Sequence, residues 1–83
     1  MIIRQFILTK EAGLHARPAL LLVDLASKFC STIYLEKEDT RYNAKSIVSV
    51  LSAGIAQGEK FNLIIEGADE HLADQVLHAF FKK

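Results

Sequence analysis

Along Ile2–Leu8 the side chains alternate, with Phe6 and Leu8 on one side of an extended chain and Ile3 and Ile7 on the other. That period of two predicts a strand. The pattern stops at Thr9, and Thr9–His15 reads as a loop in which Gly13 can take a positive φ. Apolar residues then recur at three- and four-residue steps, at Ala19, Leu22, Val23 and Ala26, which predicts a helix over Ala16–Phe29. Pro18 has no N–H and is tolerated only in a first turn, so it fixes the start of that helix beside His15. Alternation returns over Thr32–Lys37, with Ile33 and Leu35 opposed to Tyr34 and Glu36. Glu38 and Asp39 turn the chain, and Arg41–Ala44 runs back. Ser46 stands at the N-cap of a short helix, Ile47–Ala53, which Gly54 can end in the left-handed region. Gly58 marks another turn. Lys60–Glu66 sets Phe61, Leu63 and Ile65 against Asn62 and Ile64. Gly67 closes that strand, and Glu70–Phe81 forms a last amphipathic helix with Leu72, Val76, Leu77 and Phe80 as its stripe.

The order β-α-β-β-α-β-α over 83 residues predicts one domain, residues 1–83. Its class is α+β: a four-stranded antiparallel sheet with three helices on one face. The other face is left to water. Ile3, Ile7, Tyr34 and Ile64 are expected there, more apolar surface than solvation requires, and a weak homodimer contact would cover it. The expected assembly is a monomer or a weak homodimer.

Composition narrows the function. Hydrophobic residues make up 51% of the chain, enough for a core and too many for disorder. The longest apolar run, Ala19–Val23, is far short of a membrane span, and Met1-Ile2-Ile3-Arg4 lacks an export pattern. Cys30 is the single cysteine, which excludes a disulfide framework and a thiolate metal cluster. His71 and His78 stand seven apart with no third ligand in view and read as surface residues. A cytoplasmic protein without metal or cofactor is expected. Ten basic and ten acidic side chains give zero formal net charge, and the basic residues are scattered, which sets nucleic acid aside as the main partner. Recognition is expected to rest on a local patch.

The chemistry gathers at Gly13–Pro18. A histidine at the mouth of a helix faces backbone N–H groups without intrahelical partners and the positive end of the helix dipole. That is an anion site. Arg17 adds a fork of donors suited to phosphate oxygens. The positive field favours an imidazole with its lone pair available for attack. A phosphoryl group formed on His15 would meet those N–H groups and Arg17. A phosphorylated imidazole is a better leaving group than a serine ester, so a residue that holds phosphate briefly is best made a histidine. Taken singly, His15 also reads as an exposed loop residue and Arg17 as a solvated charge; the set of Gly13, His15, Arg17 and Pro18 points to phosphoryl transfer. No Ser/His/Asp or paired-carboxylate arrangement can be placed, which argues against an independent hydrolase.

"GLHARPA" (Gly13–Ala19) resembles the phosphorylation-site motif of HPr, the histidine-containing phosphocarrier family of the bacterial phosphoenolpyruvate:sugar phosphotransferase system. "AKSIVSVLSAGIAQG" (Ala44–Gly58) resembles the family's second signature, and "EGADE" (Glu66–Glu70) the entry to its last helix. The resemblance covers essentially the whole chain and implies the open-faced β-sandwich. It implies that His15 accepts a phosphoryl group from enzyme I through Nδ1 and passes it to a sugar-specific EIIA, with Arg17 stabilising it. Such a protein is a substrate of enzymes with no turnover of its own. The resemblance also implies regulation at Ser46 by HPr kinase/phosphorylase and binding of the phosphoserine form to the regulator CcpA. A phosphate at a helix N-terminus is accommodated by the dipole while it changes a docking surface. Ser46 is equally a good N-cap, and the two roles are compatible.

Ile47, Val48, Val50 and Leu51 span more than one face of a short helix, so some are expected at the surface. By resemblance Ala16, Arg17, Leu20, Ile47, Val48 and Leu51 form the docking surface, with Asp24 at its edge. Three positions depart from the family pattern. Leu20 stands where many relatives carry a small or polar residue, Asp24 where Gln or Lys is frequent, and Val48 where methionine is common. An acidic residue beside a surface meant for acidic partners slows association. These departures leave open a specialised relative, an HPr-like regulatory module acting in catabolite repression or in a dedicated non-sugar pathway. The pairing of His15 with Arg17 favours the carrier, because a purely regulatory relative could dispense with the histidine. A third reading, a small-ligand-binding α+β domain, would require a concave apolar pocket.

Overall fold

A computed structural model describes residues 1–82. The elements are β1 (Ile2–Ile7), α1 (Ala16–Ala26), β2 (Thr32–Lys37), β3 (Thr40–Asn43), α2 (Ile47–Ala53), β4 (Lys60–Glu66) and α3 (Glu70–Lys82). The strands form one antiparallel sheet in the order β1-β4-β2-β3, with β4 and β2 in the centre. The helices pack on one face, as the element order predicts. No described helix is long and apolar enough to cross a membrane.

The period-two readings hold. Phe6 and Leu8 face the core while Ile3 and Ile7 are exposed, and Phe61, Leu63 and Ile65 are buried. Residues 38 and 39 form a two-residue hairpin with φ of 51° and 64°, and Lys37 opposes Thr40. Two left-handed residues match the twist of the flanking strands, so Glu38 and Asp39 do what Asn-Gly more often does.

Three expectations need correction. Helix α1 ends at Ala26, three residues short of Phe29; Lys28 and Phe29 donate instead to Leu25 and Ala26 in tighter turns. Val23 is half-buried, whereas Ala19, Leu22 and Ala26 are buried. On α3 the buried stripe is Ala73, Leu77 and Phe81, while Leu72 is 56% exposed and Val76 and Phe80 are only partly covered. Ala73, Leu77 and Phe81 recur on one face of the helix, and with that face turned to the core Leu72 points outward. The same orientation brings Asp74 inward, where Arg4 Nε and Nη2 bind its two carboxylate oxygens at 3.0 and 2.8 Å. Finally, Ile64 is buried, not exposed, although it lies on the open face. It sits on a central strand between Ile3 and Tyr34, which cover it. The apolar area available to a homodimer contact is thereby reduced to Ile3, Ile7 and the half-buried Tyr34.

Asp69 ties the entry of α3 to the start of β2. Its carboxylate accepts from Ser31 Oγ, from Cys30 N at 2.9 Å and from Ser31 N at 3.0 Å. These bonds, the Ser31 hydroxyl first, hold its pKa at about 2 instead of the usual 3.8. Between those values the unfolded chain binds more protons than the folded one, so this contribution is present above pH 3.8 and is lost as pH falls toward about 2. Asp69→Asn is expected to lower stability at neutral pH and to make its decline on acidification shallower. Urea titrations at stepped pH measure both effects; an unchanged slope would contradict this assignment.

Candidate functional site

The position of His15 is built from the loops on either side of it. Glu59 Oε1 accepts from Ala56 N at 2.7 Å and from Lys37 Nζ at 3.0 Å, and the same ammonium donates to Gly54 O. The Ala56 N–H, then the Lys37 ammonium, hold the Glu59 carboxyl below the usual carboxylate range. Leu8 and Gly58 add a backbone pair, Leu8 N to Glu59 O and Gly58 N to Leu8 O. This fixes the 54–59 loop as a wall. Leu14 N donates to Ile55 O at 3.0 Å, which docks the His15 loop on that wall. Gly13 lies against it at φ 76°, where a Cβ would come within 2.6 Å of Ile55 O. Ala12 is also left-handed, at φ 63°, and Gly13 N closes the turn onto Lys10 O.

His15 follows as the N-cap of α1, with extended backbone, and its carbonyl accepts the first helical bond from Ala19 N at 2.9 Å. Its side chain makes no capping hydrogen bond and is exposed. Most N-cap side chains are Ser, Thr, Asp or Asn and satisfy the helix themselves. Here the ring does not cap the N–H groups of the first turn. No acidic residue stands in that turn to neutralise the positive end. Pro18 occupies the third helical position, where its missing N–H would have had no helical partner.

A cleft of about 270 Å³ opens beside the ring, lined by Lys10, His15, Arg17, Pro18, Leu21 and Phe80. The structure thus brings His15 and Arg17 together, with a second cation and an apolar wall. Lys10 Nζ donates to Phe80 O at 2.8 Å and lies 4.2 Å from the centre of the Phe80 ring. Lys10, Leu21 and Phe80 were not legible as site residues. Lys10 is a lone cation in a loop, and Phe80 reads as core stripe until the rotation of α3 is known. A separate groove of about 340 Å³ runs beside Phe6 and Phe81 and shares no lining residue with this cleft.

Ser46 lies elsewhere, at the N-cap of α2, where Oγ accepts from Ser49 N at 3.3 Å. It does not line the His15 cleft. Ala16, Leu20 and Asp24 are exposed on α1. On α2, Val48 and Leu51 are exposed, at 72% and 44%, and Ile47 is half-buried. Helix α1 packs against α2, so the exposed Leu20, Val48 and Leu51 stand on neighbouring helices.

Comparison with known proteins places these features in context. The family model described as "PTS HPr component phosphorylation site" matches residues 2–83. The chain is 42% identical over 83 residues to the HPr-like protein Crh of Halalkalibacterium halodurans, covering all of this chain and 99% of that one. It is 38% identical over 82 residues to the phosphocarrier protein HPr of Treponema pallidum, covering 99% and 93% of the two chains. A crystal structure of HPr from Thermoanaerobacter tengcongensis superposes with a TM-score of 0.95 at 41% identity, covering 99% of this chain and 92% of the other.

Proposed function

Because the chain belongs to the HPr family of phosphotransferase-system phosphocarrier proteins, we propose that it carries a phosphoryl group on His15, received from enzyme I and passed to a sugar-specific EIIA. One observation carries this reading: the His15 ring is exposed and uncommitted at a helix mouth, in a cleft shared with Arg17. The ring lone pair attacks phosphorus as the bond to the donor breaks, and the donor keeps that electron pair. The new phosphoryl oxygens meet the first-turn N–H groups and the guanidinium, each charge-assisted bond contributing about 1.5–3 kcal/mol. In this reading the cleft holds the group for transfer to the acceptor. Leu20, Val48 and Leu51, with Ala16, Ile47 and the Asp24 edge, form the docking surface in this reading. The test is incubation with phosphoenolpyruvate, magnesium and enzyme I: one acid-labile phosphoryl adduct by mass spectrometry is expected, and its absence would overturn the reading.

A second reading rests on the 42% identity to an HPr-like Crh protein. In it Ser46 is the principal phosphorylation site, acted on by HPr kinase/phosphorylase, and the product binds CcpA. Ser46 Oγ already faces the Ser49 N–H, so a phosphate there keeps the cap while adding charge beside Ile47 and Val48. Both modifications fit one chain, because the two sites do not share a cleft.

A further inference from the structure

The cleft beside His15 holds one cation that neither sequence motif includes. Lys10 reaches it from the loop before Gly13. Its ammonium donates to the Phe80 carbonyl at 2.8 Å and lies 4.2 Å from the centre of the Phe80 ring. That carbonyl belongs to the last turn of α3, where helix carbonyls lack intrahelical partners and the dipole is negative. A cation is well placed there, and aromatic contact restrains the otherwise mobile lysine stem. The result is a held positive charge in the cleft that His15 and Arg17 also line.

We propose that Lys10 is a positioning residue for the carrier reaction: its held charge stabilises the phosphoryl group on His15 and so sets how readily the protein accepts and gives it up. This inference rests on the carrier reading of His15. In the step itself an N–P bond forms at His15 while the donor's bond to phosphorus breaks, the donor takes back the electron pair, and no other co-reactant is needed. Negative charge arrives in a cleft whose described lining holds Lys10 and Arg17 and no acidic side chain. The ammonium acts through this field and does not require direct ligation of the phosphoryl oxygens. Phe80 acts through Lys10, as the group that aims it.

The experiment measures the phosphorylated-to-free ratio of the protein at equilibrium with enzyme I at fixed phosphoenolpyruvate and pyruvate. Lys10→Met is expected to lower that ratio by about three- to tenfold, the scale of one partly solvated charge. Lys10→Arg is expected to restore it to within about twofold, and the deficit of Lys10→Met should shrink at about 0.5 M salt. Lys60→Met, an equal change in net charge on the open sheet face, is the control and should match the wild type. A thermal melt accompanies each variant; if Lys10→Met fails to fold, Lys10→Gln takes its place. Lys10→Met or Lys10→Gln indistinguishable from Lys60→Met would overturn the inference and leave the carrier reading intact. A wild type that takes no phosphoryl group would overturn both.

Discussion

His15→Ala is expected to stop phosphoryl flow from phosphoenolpyruvate through enzyme I to EIIA, a loss of more than about a thousandfold. The effect is this large because no other group can take over. His71 and His78 lie on α3, outside the cleft, and His78 packs edge-on against Phe6, 5.5 Å between centroids. The Ser46 hydroxyl is on another helix and forms an ester too stable to pass phosphate on. Folding should be nearly untouched. The ring is exposed and makes no capping bond, so its removal is expected to change stability by less than about 0.5 kcal/mol. The measurement is the rate of EIIA phosphorylation, paired with a urea titration of the variant. Loss of transfer with wild-type stability assigns His15 to chemistry. Loss of both would mean that the histidine holds the loop in place.

Gly13→Ala is expected to show the opposite pattern: a destabilised protein whose remaining folded fraction is also a poorer acceptor. An alanine Cβ at this position would lie 2.6 Å from Ile55 O and 3.0 Å from Ala56 Cα, and both are backbone atoms that cannot rotate away. The φ of 76° adds the left-handed strain that glycine avoids. Relief requires the loop to lift, which stretches the bond from Leu14 N to Ile55 O. Clash, strain and a weakened bond together should destabilise by about 2–4 kcal/mol. A small domain has about 5–15 kcal/mol in total, so the loss is large. Urea denaturation gives the magnitude. A change below about 0.5 kcal/mol would show that the 54–59 loop yields easily and does not fix the His15 loop.

Much of this architecture is legible in the sequence because single faces dominate. Strands β1 and β2 bury one face, so alternation finds them, and the cap at Ser46 and the break at Gly54 bound α2 at the residues expected. The end of α1 is set by local tight turns, whereas the burial of Ile64 comes from neighbours distant in sequence. Ile64 alternates like a surface residue but is roofed by Ile3 and Tyr34 from two other strands. On α3 the spacing fits either Leu72 or Ala73 at the core, and the structure buries the face of Ala73, Leu77 and Phe81. Asp74 looks solvated until Arg4, seventy residues earlier, is seen to bind it. At the site, His15 and Arg17 are local and could be read from the motif. Lys10 and Phe80 meet only through tertiary structure, and no spacing in the chain foretells it.

The carrier and the regulator make different use of the same chain, and one experiment separates them. The protein would be offered both phosphoryl donors together, enzyme I with phosphoenolpyruvate and HPr kinase/phosphorylase with ATP. Each adduct would then be located by mass spectrometry before and after brief acid treatment. The carrier account predicts an acid-labile group on His15 that forms quickly and disappears when EIIA is added. An acid-stable group on Ser46 alone, with His15 unmodified throughout, would contradict it.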